Sequence, residues 1–327
     1  MKAIYIKEFG GVENLEVREV PDPPKPSGSE VLVRVRAAGL NRADLLQRKG
    51  FYPAPSGYSS HIPGLEFAGE VVETSHAITR VKPGDRVMAI TAGEAQAELV
   101  SIDESLLMRI PNGLSFAEAT AIPEAFITAH DAVFTQCGLR EGETLLIHAV
   151  GSGVGLAAIQ LARAAGAATT GTSRTADKLA RCAELRLDNG IVTTDGKFAE
   201  TVLELTDGKG VDVILDLVGA SYFEENLASL ASKGRLILVG LTGGRKAEFD
   251  LGIALHKRLK IMGTVLRGRP VEEKAAATQA FAEFALPLFE TGVLKPDLDR
   301  VFKMGNVAEA HEYLESNESF GKVVLEI

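Results

Sequence analysis

The stretch LLIHAVGSGVG at residues 145–155 says more about the fold than any other part of this chain. An apolar run typical of a strand ends in a glycine-rich turn, and apolar residues at helical spacing follow from Leu156 to Ala164. Glycines let the backbone approach a pyrophosphate, and free N–H groups at a helix start attract its charge. The stretch therefore indicates a dinucleotide site. An ordinary tight strand-to-helix turn remains an alternative, because strict G-x-G-x-x-G spacing puts Leu156 at the third glycine.

The next strand bears on which dinucleotide would bind. Residues 168–172 have strand character, Ser173 and Arg174 follow directly, and Lys178 comes one turn later. A site that prefers NAD carries an acidic residue there, which binds the ribose 2′-hydroxyl. A hydroxyl and two cations suit a 2′-phosphate instead, so the sequence favours NADPH. The alternative is a solvated helix start with ordinary surface charges.

Length and composition exclude several classes of protein. A chain of 327 residues, 46% of them hydrophobic, predicts two globular domains. The net charge of -9 argues against a dedicated nucleic-acid binder. Cys137 and Cys182 are too few for a disulfide framework or a multi-cysteine zinc site, which fits a reducing cytoplasm. The chain shows neither a signal peptide nor an apolar run long enough to span a membrane.

The pattern of elements changes along the chain. Short strands and turns in the first third, with strands at 31–37, 67–72 and 85–90, predict a small β-rich barrel. Ser115 and Glu118 form a possible capping box that opens an alanine-rich helix. From about residue 144 to residue 264, apolar strands alternate with helices, as in a parallel sheet covered on both faces. A helix from Val271 to about Glu290 and a strand over 321–327 follow, and we expect this last strand to return to the β-rich domain.

Over nearly its whole length the chain resembles the zinc-independent medium-chain dehydrogenase/reductases. The motifs that carry the resemblance are NRADLLQRKGFY at 41–52, PGLE at 63–66, KPGDRV at 82–87, the glycine turn, and GKVV at 321–324. Within that superfamily the chain is most similar to the quinone oxidoreductases of the p53-inducible type. The resemblance implies an α/β fold with a GroES-like β-barrel catalytic domain at 1–122 and 267–327. A Rossmann-fold NADP-binding domain with a parallel sheet is implied at 123–266.

The resemblance also implies that no metal is bound. Related zinc alcohol dehydrogenases have a cysteine ligand where Asn41 stands and a histidine ligand where Leu65 stands. An amide and an alkyl side chain cannot replace a thiolate and an imidazole. The six histidines show no metal-binding spacing, and each, including His148 in an apolar strand, is expected in the core or on the surface. Without a metal to polarise a carbonyl, quinones and other electron-poor conjugated acceptors are the favoured substrates.

Three residues acquire candidate catalytic roles from the resemblance. Tyr52 matches a tyrosine of the family's substrate cleft, where its hydroxyl would bond a quinone oxygen; alternatively it packs on neighbouring prolines. Ser152 matches a turn serine placed between pyrophosphate and nicotinamide, or is a small residue that only provides clearance. Asn41 stands at the metal-cysteine position beside the reaction cleft, although Asn41 and Asp44 would equally serve to cap the helix that follows.

Cofactor contacts are implied for a larger set of residues. They are Thr128, Ser152, Gly153 and Val154, then Ser173, Arg174 and Lys178 at the adenosine phosphate, Gly240 and Leu241 at a strand end, and Val265, Leu266 and Arg267 near the nicotinamide. One departure concerns the segment IVTTD at 191–195. Quinone oxidoreductases often have a tyrosine there against the 2′-phosphate ribose; here it is absent, and we expect Arg174 to compensate.

The activity expected is that of an NADPH-dependent quinone oxidoreductase in the cytoplasm, with a small-molecule quinone as its partner. An enoyl-thioester reductase is an alternative, because it shares the hydride donor, the absence of zinc and a tyrosine in the barrel domain. A non-enzymatic role, as in crystallin or RNA-binding relatives, is disfavoured by the acidic balance. No nucleic acid or membrane is expected as a partner. By resemblance we expect a homodimer, formed through an edge strand near residues 260–265.

Overall fold

The computed structural model describes residues 1–327, which separate into two compact units. The first unit contains Met1–Ile127 and Leu266–Ile327, and the second contains Thr128–Val265. The expected mixed α/β fold is confirmed, since the first unit is built on a largely antiparallel sheet and the second on a parallel one.

Fifteen strands and ten α-helices make up the two units. The strands are β1 (Lys2–Ile6), β2 (Leu15–Glu19), β3 (Glu30–Leu40), β4 (Glu66–Thr74), β5 (Arg86–Ile90), β6 (Leu99–Asp103), β7 (Leu107–Arg109), β8 (Thr144–Ile147), β9 (Ala168–Ser173), β10 (Asn189–Val192), β11 (Val211–Asp216), β12 (Leu230–Leu238), β13 (Lys260–Gly263), β14 (Leu298–Lys303) and β15 (Lys322–Glu326). The helices are α1 (Arg42–Arg48), α2 (Phe116–Thr120), α3 (Pro123–His130), α4 (Gly153–Ala164), α5 (Ala176–Glu184), α6 (Ala199–Leu205), α7 (Phe223–Ser229), α8 (Leu251–Lys257), α9 (Val271–Glu290) and α10 (Val307–Glu315).

The first unit contains a two-stranded sheet of β1 and β2 and a seven-stranded sheet in the order β14-β15-β3-β4-β5-β7, with β6 also paired to β3. Strand β3 alternates as the sequence predicts: Val31, Val33 and Val35 are buried, whereas Arg34 and Arg36 are exposed. The last strand, β15, pairs antiparallel with β3, so the expected return of the chain to the β-rich domain is confirmed.

Strand β14 is an element that the sequence analysis did not predict. It lies at the edge of the sheet, paired in parallel with β15, and none of its residues is fully buried. An exposed edge strand need not carry the alternation of apolar residues that identifies a half-buried strand.

The second unit contains a six-stranded parallel sheet in the order β10-β9-β8-β11-β12-β13. Strand β9 lies on one side of β8 and β11 on the other, so the strand order reverses at β8. Ligands of open parallel sheets bind beyond the carboxyl ends of the strands at such a reversal. The glycine turn follows β8, and its position therefore matches the place where this topology binds ligands. Strand β13 forms an edge of the sheet, and the homodimer through it stays a prediction.

The predicted capping box opens α2. Ser115 Oγ accepts a hydrogen bond from the Glu118 N–H at 3.2 Å, and the Ser115 N–H donates to Glu118 Oε2 at 2.8 Å. The helix is shorter than the alanine-rich sequence suggested, because α2 ends at Thr120 and α3 begins at Pro123. Helix α9 has the predicted bounds, Val271–Glu290. No helix of the chain combines the length and the apolar character needed to cross a membrane.

Candidate functional site

The glycine turn of the second unit starts α4 directly beyond β8. Ser152 is the N-cap: its Oγ accepts from the Gly155 N–H at 3.1 Å, and its carbonyl accepts from the Leu156 N–H at 2.9 Å. Gly153 and Val154 therefore lie in the first turn, where backbone N–H groups have no partner within the helix. A Cβ on Gly155 would lie 2.4 Å from the Val150 carbonyl oxygen, so only glycine allows this tight approach. The turn fits a pyrophosphate group.

Ser152 uses its hydroxyl as a helix cap, which the sequence analysis did not predict. Since the oxygen accepts a hydrogen bond from Gly155, the hydroxyl hydrogen is left to donate. The structure thus places a hydroxyl donor at the turn.

The end of β9 presents the residues expected at an adenosine phosphate. Ser173 is buried, and its Oγ accepts a hydrogen bond from the Thr175 N–H at 3.2 Å. Its carbonyl accepts from the Thr193 N–H at 2.9 Å, which ties the end of β9 to the segment after β10. Arg174 is exposed, and Lys178 is partly exposed on α5. The two cations and the serine therefore belong to one region of the second unit.

Asp216, at the end of β11, is a fully buried carboxylate that the sequence analysis did not single out. It accepts hydrogen bonds from the N–H groups of Val218 at 2.7 Å and Gly219 at 2.9 Å, and from Asn226 Nδ2 at 2.9 Å. Its backbone oxygen accepts from the Gly240 N–H at 3.2 Å. Asp216 thereby organises the loops that follow two neighbouring strands. An acid directly after the apolar run 213–215 was the available signal.

His148 is a core residue, as expected, although it follows β8 instead of lying within it. Its Nε2 lies 2.5 Å from Asn226 Oδ1, and its Nδ1 lies 2.8 Å from Thr172 Oγ1. Burial lowers the pKa of His148 below its ordinary value, so the ring is neutral. Because Asn226 donates its amide to Asp216, its oxygen must accept from Nε2–H. His148 Nδ1 then accepts from the Thr172 hydroxyl.

The remaining cofactor candidates of the second unit are apolar or small. Thr128 is buried on α3, whereas Leu241 and Val265 are about half exposed. A Cβ on Gly240 would lie 2.7 Å from the Leu217 carbonyl oxygen, so this position also requires glycine. Exposed apolar side chains after β12 and β13 suit contact with flat rings rather than with charged groups.

In the first unit, Asn41 is held between two opposite charges. Its backbone N–H donates to Asp44 Oδ2 at 2.7 Å, which is half of the helix cap expected for α1. Its side-chain Nδ2 donates to Glu66 Oε1 at 2.9 Å, and its Oδ1 accepts from Lys322 Nζ at 2.6 Å. This fixes which way the amide points. One N–H of the amide is left to donate to a further acceptor.

Glu66 and Lys322 form a buried ion pair that the sequence analysis quoted only as parts of motifs. Their side chains are 0% and 5% exposed, and the ammonium contacts Glu66 Oε1 directly. Glu66 Oε2 accepts a further hydrogen bond from the Glu124 N–H at 2.7 Å. A charged residue at the start of each strand was the only local signal, and the two residues are 256 positions apart in the chain.

Two carboxyl groups beside this pair have raised pKa values. Burial raises the pKa of Asp44 to about 6, although the N–H groups of Asn41 and Gly64 bond the carboxylate and oppose the rise. Burial and the nearby Glu66 carboxylate raise the pKa of Glu124 to about 8. Glu124 is therefore mostly protonated at neutral pH, and both groups exchange protons within the physiological range.

Arg267, which is expected near the nicotinamide, donates its hydrogen bonds to residues of the first unit. Its Nε donates to the Ala92 carbonyl at 2.8 Å, its Nη1 to the Tyr52 carbonyl at 3.1 Å, and its Nη2 to Gln47 Oε1. The guanidinium also lies 5.0 Å from the centre of the Tyr52 ring. Arg267 thus fixes the position of Tyr52. Leu266, beside it in the chain, is buried.

Tyr52 is half-buried, and burial raises the pKa of its phenol above the ordinary value. The phenol is therefore protonated at neutral pH and can donate a hydrogen bond. Leu65, at the position of the histidine ligand in zinc relatives, is buried in the core. The chain has no group of three or more His, Cys, Asp or Glu side chains arranged to hold a metal.

Comparison with known proteins places both units in one family. The family model for the alcohol dehydrogenase GroES-like domain matches residues 27–132, and that for the zinc-binding dehydrogenase matches residues 153–283. A quinone oxidoreductase of Pseudomonas aeruginosa is 36% identical over 99% of each chain. Among solved structures, a mycobacterial protein in complex with NADPH has a TM-score of 0.89 at 27% identity over 100% of both chains. JamJ enoyl reductase has a TM-score of 0.88 at 27% identity over 99% of this chain and 98% of that one.

A GroES-like domain and a Rossmann-like parallel sheet are thus shown by family models and by structure together. The match to the Pseudomonas aeruginosa enzyme spans both units at once. The chain belongs to the quinone oxidoreductase family of the medium-chain dehydrogenase/reductases, which are nicotinamide-dependent oxidoreductases.

Proposed function

We propose that this chain reduces quinones with NADPH and without a metal ion. The observation that carries the choice of NADPH is the pair Ser173 and Arg174 at the end of β9, where a site for NAD would have a carboxylate. The choice of quinones is supported by the full-length relative that bears this activity in its name.

In this proposal the second unit binds the cofactor. The N–H groups of Gly153 and Val154 hold the pyrophosphate, and the Ser152 hydroxyl donates to the same region. Arg174, Lys178 and Ser173 bind the 2′-phosphate. The small and apolar candidates of this unit border the rings of the cofactor: Thr128, Gly240, Leu241 and Val265. When bound, the reduced nicotinamide supplies a hydride.

The first unit binds and polarises the acceptor. Reduction of a quinone to a hydroquinone consumes one hydride and one proton, and negative charge develops on a quinone oxygen. The Asn41 amide and the Tyr52 phenol are donors that stabilise this charge. Arg267 holds the Tyr52 segment in place, and the Glu66–Lys322 pair holds Asn41. The proton that converts the resulting hydroquinone anion to the hydroquinone comes from water.

The direct test is NADPH oxidation by the purified protein with a panel of benzoquinones and naphthoquinones. Enzyme-dependent turnover with at least one quinone is expected, and no turnover with any of them would refute the proposal.

Cofactor choice is tested separately with Arg174→Ala combined with Lys178→Ala. Each charge-assisted hydrogen bond is worth roughly 1.5–3 kcal/mol, so the dissociation constant for NADPH should rise at least tenfold. The affinity for NADH should change little. Equal losses for both cofactors would contradict the assignment of the 2′-phosphate site.

Reduction of enoyl thioesters is a second candidate, supported by the similarity to a solved enoyl reductase. A conjugated thioester also develops charge on an oxygen after hydride uptake, and the Tyr52 donor would serve it equally. Crotonyl-CoA distinguishes the two activities: rapid NADPH oxidation with this acceptor and none with quinones would favour the enoyl reductase.

A further inference from the structure

We propose that Tyr222 is a specificity residue for NADPH, whose hydroxyl donates a hydrogen bond to the adenosine 2′-phosphate beside Arg174. The inference rests on the proposed use of NADPH and deepens it, because Tyr222 lies on a segment to which the sequence analysis gave no function. It belongs to the short 3-10 helix Ala220–Tyr222 that follows β11.

Packing places the Tyr222 ring at the carboxyl end of the parallel sheet. The ring meets the His148 ring edge-on, with centroids 4.9 Å apart, and lies 5.1 Å from the centre of the Phe198 ring. His148 is in turn bonded to the Thr172 hydroxyl, and Thr172 directly precedes Ser173. The Tyr222 ring therefore packs against the rings of His148 and Phe198, next to the end of β9.

Other residues of the segment after β10 also approach this ring. Thr193 is tied by its N–H to the Ser173 carbonyl at 2.9 Å. Its buried hydroxyl lies close enough to lower the pKa of the Tyr222 phenol, yet it makes no hydrogen bond of normal length and angle. At Gly196 a Cβ would lie 3.6 Å from Tyr222 Cε1, so the turn runs directly along the ring. An incompletely bonded buried hydroxyl thus lies beside a partly exposed phenol.

The charges around the phenol suit a phosphate. Burial raises the pKa of Tyr222 above its ordinary value and keeps the phenol protonated, while the Arg174 guanidinium acts on it in the opposite direction. Two carboxylates, Asp216 and Asp195, also act on the phenol. Both Asp216 oxygens accept hydrogen bonds, from the loop after β11 and from Asn226 on α7, and Asp195 Oδ1 accepts from the Lys197 N–H at 3.0 Å.

The neighbourhood therefore offers donors: a phenol, a guanidinium and the Ser173 hydroxyl. A phosphate dianion is an acceptor with several oxygens and gains most from charge-assisted donors. A ribose 2′-hydroxyl calls for an acceptor instead; Asp216 is buried with both oxygens bonded, and Asp195 is an exposed acid bonded through Oδ1. Tyr222 thus provides, from the loop after β11, an aromatic donor that residues 191–195 lack.

The test is Tyr222→Phe, which removes the hydroxyl and keeps the ring on His148 and Phe198. Dissociation constants are measured by calorimetry for adenosine 2′,5′-bisphosphate and for 5′-AMP, two ligands that differ only in the 2′-phosphate. We expect about tenfold weaker binding of the bisphosphate and no change for 5′-AMP, as for loss of one hydrogen bond to a charged group. Tyr5→Phe, which alters a tyrosine of the first unit, is the matched control and should change neither constant.

Each other outcome overturns the inference in a different way. If Arg174→Ala weakens the bisphosphate and Tyr222→Phe does not, NADPH preference stands and the role of Tyr222 is wrong. If Tyr222→Phe weakens both ligands equally, the tyrosine contacts the adenosine and not the phosphate. If the unmodified protein binds both ligands equally, the proposed preference for NADPH fails as well. Unfolding temperatures of the variants confirm that they are folded.

Discussion

Replacement of Lys322 by methionine removes the cation that pairs with the buried Glu66 carboxylate in the first unit. The side chains of Glu66 and Lys322 are 0% and 5% exposed, so water cannot take over the role of the ammonium. Glu66 would retain its hydrogen bonds from the Asn41 amide and the Glu124 N–H. The Asn41 oxygen would lose its charged donor.

The magnitude follows from this burial. Loss of one partner of a buried ion pair costs about 3–5 kcal/mol, because the remaining charge is left without compensation. For a domain of this size, each kcal/mol lowers the unfolding temperature by roughly 2–4 °C, so a fall of roughly 6–20 °C is expected. Adding Glu66→Gln removes the orphaned charge and should restore a large part of the loss.

The assay is scanning calorimetry of the purified variants, with Lys303→Met as the matched control. Lys303 pairs with Glu326 on the same sheet, but these side chains are 73% and 52% exposed. Such surface pairs contribute about 0–1 kcal/mol, so the control should unfold nearly as the unmodified protein does. The account of the buried pair is wrong if Lys322→Met lowers the unfolding temperature no more than Lys303→Met does.

Three further predictions follow from single sites. Glu124 has a pKa of about 8 in the folded chain, whereas the ordinary value is 4.5. Between these pH values the folded state holds a proton that the unfolded state has lost, so the free energy of unfolding falls as pH rises. Glu124→Gln should flatten that decline in calorimetry across this pH range, and an unchanged slope would disprove it. Gly155→Ala sets a Cβ against the Val150 oxygen and should cost about 1–3 kcal/mol and weaken NADPH binding. Gly263→Ala, which meets open space, should do neither. Ser115→Ala removes a helix cap and should lower stability by about 1 kcal/mol in denaturant unfolding, whereas full stability would contradict the capping role.

Local patterns in the sequence predicted most of the fold. Alternation in β3, the capping residue Ser115 and the apolar periodicity of α9 each act within a few residues, so each can be recognised in the chain alone. Strand β14 was not predicted, because an exposed edge strand lacks the burial that produces an alternation of apolar and polar residues.

Parts of the candidate site depend on which strands become neighbours in a sheet. Local sequence patterns do not contain that information. The pairing of Glu66 with Lys322 requires β4, β3 and β15 to lie side by side in the sheet. The contact of Tyr222 with His148 likewise requires β11 to pair with β8. Motif similarity named Asn41 and Tyr52 as candidates, but only the structure shows what holds each of them: a buried ion pair and the Arg267 guanidinium.

The central claim is that this chain passes a hydride from NADPH to a quinone. It is tested most directly by comparing kcat/KM for a naphthoquinone and for crotonyl-CoA, each with NADPH and with NADH as the donor. The account predicts that the quinone is the better acceptor and NADPH the better donor. A faster reaction with crotonyl-CoA, or equal use of the two donors, would contradict it.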